Sequence, residues 1–197
     1  PAYIRYAAAR NADPRINFEV GDACAMRFAD DSFDHALSLL VLQFLPDANR
    51  AVREMRRVTR TGGTVAAATW DTRGGVVVQR MFLDTAAVLD AGADAMRAKA
   101  CARPMSQRDG LVTAWRHAGL LDVEASSLTI RMDFGCFNDF WSSIDGRDGP
   151  YAEYLLALPA ELKLTLRRLV QSAYLDGGHD GSRSYAATAW AVKGRVP

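Results

Sequence analysis

The sequence of 197 residues predicts an α/β fold: a doubly wound, mostly parallel sheet with helices on both faces and an antiparallel last strand. Three short apolar runs of strand length, each bounded by Gly, Asp or Pro, occupy residues 17–20, 33–40 and 64–69. A helix pattern lies between the second and third runs. A strand, a helix and a strand with short connections form a βαβ unit, and such units build parallel sheets with right-handed crossovers.

The helix of this unit is predicted to begin after Pro46 and Asp47, and Gly62 is expected to end it in a left-handed conformation. Its apolar positions fall near one face: Ala48, Val52, Met55 and Val58. The arginines between residues 50 and 60 are interpreted as a solvated face. A formal net charge of +1 gives no field that would attract nucleic acid or an anionic membrane, so neither is expected as a partner.

The remaining elements follow from the same patterns. Residues 3–10 predict an amphipathic helix, and Pro14 discourages its continuation. The helix near residue 106 is expected to start with a capping box at Ser106, and another is expected to start at Pro159. The other predictions are helices at 76–89, 93–101, 137–144 and 151–156, a turn at 145–150, and strands around 128–132 and at 184–193.

We expect a single domain over residues 1–197, with 1–71 as the βαβ core and 72–197 as the remaining sheet and covering helices. Cys24, Cys101 and Cys136 lie far apart without metal-ligand spacing, which fits a reducing compartment. No apolar run reaches the ~18 residues of a membrane span, and the first residues lack a signal-peptide core. The sequence therefore predicts a soluble, cytoplasmic protein.

Three motifs follow one another in the first third of the chain. Gly21-Asp22-Ala23 comes directly after the first apolar run, DDSFDHALSLLVLQFLPD spans residues 30–47, and REMRRVTRTGGTVAAATWD spans residues 53–71. In this order and spacing they resemble the class I methyltransferases that use S-adenosylmethionine (SAM), in particular those acting on small molecules. The resemblance implies a Rossmann-like fold, SAM as cofactor, and methyl transfer to a small-molecule acceptor. It leaves the oligomeric state unknown.

The resemblance also implies site residues. Asp22, Ala23 and Cys24 match the motif that contacts the adenine of SAM, where a carboxylate can accept a hydrogen bond from the adenine amino group; the alternative for Asp22 is a turn residue that caps its own backbone. Leu39 and Leu40 match positions whose backbone faces the methionine part of SAM. These five residues are the expected cofactor-binding set, and they place residues 1–71 on the cofactor side.

Gln43, Phe44 and Trp70 are the substrate-side candidates that the resemblance implies. Gln43 falls where the family often carries a polar residue next to the methyl group, with a surface amide as the alternative. Trp70 could wall the pocket or lie near the sulfonium, and the alternative is a packing role in the core. The helix at 76–89 would help to cover the substrate, and the alternative for it is packing in the core. Methyl transfer requires alignment more than acid–base chemistry, so no catalytic residue and no metal site are assigned.

One family feature is missing from the sequence. The glycine-rich loop after the first strand and the acidic residue that ends the second strand do not occur, and there is no GxGxxG. We therefore expect the first two strands of the fold to be missing from the chain, and roughly 40–80 residues to precede Pro1 in the natural protein. Without them, the apolar strand at 33–40, which reads as buried on both faces, would form an open edge.

Two alternative functions remain open. The absence of the glycine-rich loop favours a non-catalytic α/β module for binding or oligomerisation. A nicotinamide-dependent oxidoreductase is the less favoured alternative, because it also requires the glycine fingerprint and leaves Gly21-Asp22-Ala23 unexplained.

Overall fold

The computed structural model describes residues 2–146 and 149–197. The helices are α1 Ala2–Arg10, α2 Ala48–Val58, α3 Val77–Leu89, α4 Ala91–Ala102, α5 Arg108–His117, α6 Phe137–Ile144, α7 Pro150–Ala157 and α8 Ala160–Leu175. The strands are β1 Phe33–Leu39, β2 Thr59–Trp70, β3 Leu121–Phe134 and β4 Arg183–Arg195, and short 3-10 helices span Leu42–Phe44 and Pro104–Ser106. The predicted turn at 145–150 includes residues 147 and 148, which lie outside the described residues.

The sheet has the strand order β1-β2-β4-β3. β1 and β2 pair in parallel with α2 as their crossover, as the βαβ pattern predicts. β4 lies antiparallel between β2 and β3. The α/β fold, the helices on both faces and the antiparallel last strand are confirmed, and the sheet as a whole is mixed, with one parallel and two antiparallel pairs.

Two apolar clusters lie on opposite faces of the sheet. On one face α2 and α5 pack against the β2 side chains Val65 and Ala67 and against Val192 of β4. Inside this cluster the indole of Trp115 donates a hydrogen bond to the carbonyl of Val65 (3.0 Å). On the other face α3, α6, α7 and α8 pack around Ala187 of β4. β2 and β4 thus carry the core of both layers.

The strand predicted at residues 17–20 is wrong, because this segment is irregular in the structure. A strand needs a hydrogen-bonding neighbour, and the apolar run 17–20 has none in the sheet. Val20 is consequently exposed. The segment still leads directly into the turn at Asp22, where the carbonyl of Asp22 accepts a hydrogen bond from the N–H of Ala25 (3.1 Å).

The prediction that the strand at 33–40 is buried on both faces is also wrong. Ala36 packs with the α2 and α5 cluster, whereas Leu37 and Leu39 on the opposite face are 76% and 73% exposed. Together with Ala66, Ala68 and Ala191 they line an open apolar hollow of about 510 Å³. β1 pairs only with β2 among the described strands, so it forms an edge of the sheet. The open edge expected for this strand is therefore present.

Two predicted helix caps are wrong. α2 ends at Val58, and Thr59 already begins β2, so Gly62 does not cap the helix. Gly62 instead has a φ of +77° inside β2, where the register with β1 jumps from Phe33↔Thr59 to His35↔Thr64. Such a bulge needs a left-handed residue, which glycine supplies without steric cost. Ser106 belongs to a 3-10 turn, and Gln107 precedes α5 without a side-chain cap.

Candidate active site

A left-handed turn ends β1. The N–H of Leu40 still donates to the carbonyl of Ala68 on β2 (2.8 Å), but its φ of +59° turns the chain away from the sheet. A left-handed leucine is uncommon, and strain of this kind concentrates at functional sites. The turned carbonyl of Leu40 accepts a hydrogen bond from Nε2 of Gln43 (3.2 Å). The turn therefore fixes the orientation of the Gln43 amide.

Gln43, Phe44 and Trp70 line one cavity of about 410 Å³. It lies beyond the carboxyl ends of β1 and β2, where open α/β sheets bind ligands. Gln43 is only 5% exposed, and its Oε1 has no hydrogen-bond partner among the described residues. Trp70 lines the cavity and also packs against the cluster on the α3 face, whereas its role toward a substrate stays a prediction. The structure thus brings the substrate-side candidates together.

Three further side chains of this cavity come from distant parts of the chain. α3 contributes Gln79, the segment after α4 contributes Arg103, and α7 contributes Tyr151. The hydroxyl of Tyr151 donates to Oε1 of Gln79 (3.4 Å). The guanidinium of Arg103 lies 5.2 Å from the ring centroid of Phe44, in a cation–π arrangement. Among the three, only Gln79 belongs to a helix that the resemblance placed over the substrate.

The Tyr151 hydroxyl is a weaker acid than the hydroxyl of an exposed tyrosine. Burial raises its pKa above the ordinary value of 10.0, because the phenolate would lose hydration, and the positive charge of Arg103 offsets only part of that rise. Tyr151 is therefore protonated at neutral pH. It can donate a hydrogen bond to a ligand but cannot remove a proton from one.

The loop that follows residue 20 holds the other predicted site residues. Oδ1 of Asp22 accepts the N–H of Cys24 (2.8 Å), so Asp22 caps its own turn, as its alternative role requires. The second carboxylate oxygen of Asp22 has no hydrogen bond to a described residue. Asp22 and Ala23 line a hollow of about 390 Å³, together with Phe18 and Met26. The thiol of Cys24 lies 3.3 Å from the carbonyl of Asp47 and so joins the loop to the start of α2.

A charged pair on α2 clamps this loop. Arg57 donates from Nε and Nη2 to the two oxygens of Glu54 (both 2.8 Å). The same guanidinium reaches the loop carbonyls of Met26 (3.0 Å) and Phe28 (2.8 Å) and the carboxylate of Asp30 (2.7 Å). Glu54 in turn accepts the N–H of Met26 (2.8 Å). The interpretation of the α2 arginines as a solvated face is therefore wrong for Arg57.

This pairing changes the titration of Glu54. The hydrogen bonds from Arg57 lower the pKa of the Glu54 carboxyl from 4.5 to about 2, with smaller contributions from the Met26 N–H and from Arg50, while burial opposes the change. Glu54 therefore stays ionised at every pH at which the protein would normally be studied. The clamp is a permanent feature near neutral pH.

The structure does not bring the five predicted cofactor residues to one cavity. Asp22 and Ala23 line the hollow of the loop, whereas Leu39 lines the open apolar face and Leu40 acts through its backbone at the turn.

Within residues 2–146 and 149–197, no group of His, Cys, Asp and Glu side chains is arranged to hold a metal ion. None of the helices in that part of the chain has the length and apolarity to span a membrane.

Comparison with known proteins finds a sequence match in the first third of the chain. Residues 1–67 match the sequence model of the methyltransferase domain. Over 62 residues, which are 32% of the chain, the sequence is 39% identical to Methyltransferase GfsG of Streptomyces halstedii. The match spans 22% of that relative, so the chain corresponds in sequence to about a fifth of it.

Two solved structures are similar over nearly the whole chain. A methyltransferase from an antibiotic biosynthesis pathway of Anabaena variabilis aligns with 93% of this chain and 75% of its own, at 13% identity and a TM-score of 0.57. Phosphoethanolamine N-methyltransferase 2 of Haemonchus contortus, solved with S-adenosyl-L-methionine, aligns with 98% of this chain and 40% of its own, at 14% identity and a TM-score of 0.51. The chain has the class I methyltransferase fold, and its residues 1–67 are related in sequence to the methyltransferase domain family.

Proposed function

We propose that the protein is a SAM-dependent methyltransferase that acts on a small-molecule acceptor. The observation that carries this proposal is the cavity of Gln43, Phe44 and Trp70 at the carboxyl ends of β1 and β2. It adjoins the left-handed turn at Leu40, in a fold shared with a methyltransferase that was solved with SAM. The three free cysteines support a reducing, cytoplasmic setting.

The loop at Asp22 fits the adenine end of the cofactor. Oδ2 of Asp22, which has no hydrogen bond to a described residue, can accept one from an adenine amino group, while Oδ1 keeps the turn in place through the N–H of Cys24. The clamp of Glu54 and Arg57 holds the loop against α2. The backbone of Leu39 and Leu40 is assigned to the methionine part of the cofactor, on the strength of the resemblance.

The cavity of Gln43, Phe44 and Trp70 then holds the acceptor in line with the methyl group of SAM. Bound SAM supplies a methyl group on an electrophilic sulfonium, and the reaction needs the acceptor in line with it. Phe44 and Trp70 confine the acceptor, and Gln43 offers an amide oxygen whose direction is fixed by the Leu40 carbonyl. Tyr151 stays protonated, so the acceptor atom must be nucleophilic without help from this tyrosine.

Isothermal titration of SAM into the protein and into the Asp22→Ala variant tests the cofactor site. Loss of one directional hydrogen bond should weaken binding by roughly 1–3 kcal/mol, whereas Trp70→Ala should leave SAM affinity nearly unchanged and lower methyl transfer. Asp109→Ala, at an exposed carboxylate on α5, is the matched control. Equal SAM affinities of the wild type and Asp22→Ala would contradict the adenine role.

The non-catalytic alternative has one observation in its favour, the uncovered apolar face at Leu37 and Leu39. A protein that binds no SAM and associates with increasing concentration would support that alternative. A protein that binds SAM and transfers its methyl group would reject it.

A further inference from the structure

The cavity of Gln43, Phe44 and Trp70 contains two cationic residues and, among the described residues that line it, no carboxylate. The cations are Lys99, on the last turn of α4, and Arg103, directly after that helix. Neither forms an ion pair with a described residue, whereas Arg80 and Arg97 on the neighbouring helix surfaces pair with Asp84 and Asp94. Among the described residues, the positive charge at this cavity therefore has no ion-pair partner.

Arg103 contacts the ring of Phe44, and among the described residues its hydrogen-bond donors have no acceptor. Its guanidinium lies over the ring of Phe44 at 5.2 Å, and its side chain makes no hydrogen bond to a described residue. A stacked guanidinium keeps its N–H groups at the edge of the plane free for a planar anion. Arg103 is also partly buried. An anion beside it would be less screened by water than one at an exposed arginine.

The rest of the wall is apolar or aromatic. Phe44, Trp70 and Tyr151 supply rings, and Met96 and Ala100 supply aliphatic surface. A volume of about 410 Å³ lies in the usual range for small-molecule sites. The Tyr151 hydroxyl and the Gln79 amide add neutral polar groups. The cavity thus has mainly apolar walls and a cationic end at Lys99 and Arg103.

We infer that the acceptor is a small molecule with an aromatic or aliphatic body and one anionic group, a carboxylate or a phosphate, held by Arg103 with Lys99 beside it. This inference rests on the proposed function only in taking the cavity as the acceptor site. The anionic end would fix the ligand at Arg103, and the body would extend past Phe44 toward Trp70.

Binding of four probes that share a phenyl ring tests the inference: benzoate, phenyl phosphate, the neutral benzamide and the cationic benzylamine. Ligand-observed NMR titration into the wild-type protein should show benzoate or phenyl phosphate binding at least about fivefold more tightly than benzamide, because charge-assisted hydrogen bonds exceed neutral ones. The two anions distinguish a carboxylate site from a phosphate site. Equal binding of benzamide or benzylamine would overturn the inference.

Variants locate the effect. Arg103→Met keeps an unbranched apolar stem over Phe44 and should remove most of the preference for the anion over benzamide. Lys99→Met should reduce the preference for the anion about twofold or more, because the charge of the exposed Lys99 is partly screened by water. The exposed position also means that this substitution does not endanger folding. Arg53→Met removes an exposed positive charge on α2 and is the matched control. An equal loss in Arg53→Met would show a general charge effect and refute the assignment to this cavity.

The two proposals can fail separately. Anion preference that depends on Arg103, without SAM binding, would reject the proposed function and leave this inference standing. SAM-dependent methylation that prefers benzylamine to benzoate would reject this inference and leave the function standing.

Discussion

Replacing Glu54 by Gln tests the clamp between α2 and the loop at residues 22–31. Glutamine keeps an oxygen for the N–H of Met26 but loses the charge that pairs with Arg57. A fall of the Glu54 pKa from 4.5 to about 2 corresponds to roughly 3 kcal/mol at 1.36 kcal/mol per pKa unit. Because the Glu54 side chain is 19% exposed, solvent screening reduces this to about 1–2 kcal/mol.

The pH dependence gives this prediction its sign. Glu54 has a lower pKa in the folded protein than in the unfolded chain, so its contribution is fully present above about pH 4.5 and is lost as the pH falls toward 2. The wild type should exceed Glu54→Gln by about 1–2 kcal/mol in the free energy of unfolding at pH 7. The difference should shrink progressively between pH 4.5 and 3.

Urea unfolding at pH 7, 5, 4 and 3 measures the difference, and hydrogen exchange at the Met26 amide reports the loop directly. Glu153→Gln, at an exposed glutamate on α7 without an ion pair among the described residues, is the control and should change neither quantity. A Glu54→Gln variant with unchanged stability at pH 7 and unchanged protection at Met26 would refute the clamp. A stability difference that stays constant down to pH 3 would refute its electrostatic origin.

Two other predictions concern the sheet. Gly63→Ala should lower the free energy of unfolding by about 1–3 kcal/mol, because a Cβ would lie 2.5 Å from the carbonyl oxygen of Asp34 and 2.8 Å from that of Arg60. Gly74→Ala is the control and should be close to neutral, because its Cβ would have no atom within 4 Å. Equal urea midpoints for the two variants would contradict the steric argument. Leu37→Lys combined with Leu39→Lys should reduce concentration-dependent association in sedimentation velocity, because charge on an apolar edge strand opposes its pairing with another strand. Val88→Lys, at an exposed position on α3, is the control. An equal effect of Val88→Lys would contradict a role of the apolar face at Leu37 and Leu39.

The sequence predicts best those helices and strands that bury one face, because their apolar residues then recur with the period of the helix or the strand. α2 buries Val52, Met55 and Val58 as its periodicity indicates, and β2 alternates Val65 and Ala67 with half-exposed neighbours. The segment at 17–20 carries a similar apolar run and yet is irregular. The difference lies in pairing, since a strand exists only where another strand offers its backbone, and local sequence does not encode the neighbour.

The site was predictable only where it is local. Gln43, Phe44 and Trp70 lie in motifs with a fixed order, and the structure brings them to one cavity. Arg103 reaches the same cavity through the docking of α4, and no spacing in the sequence relates it to Phe44. Arg57 looked like one more arginine on a polar helix face, because nothing local shows that an irregular loop folds back over it.

The two apolar clusters hold opposite sides of the cavity of Gln43, Phe44 and Trp70. Leu42, next to Gln43, packs with α2 and α5 on one face of the sheet, whereas Trp70 packs with α3, α6 and α8 on the other. Both layers are tied to β2, whose residue Ala68 also accepts the N–H of Leu40. The amide of Gln43 and the ring of Trp70 are thus held by one strand that both cores make rigid. Methyl transfer depends on such alignment, in which a displacement of about 1 Å can cost on the order of a hundredfold in rate. Under the proposed function, substitutions inside either cluster should therefore lower turnover before they lower ligand affinity.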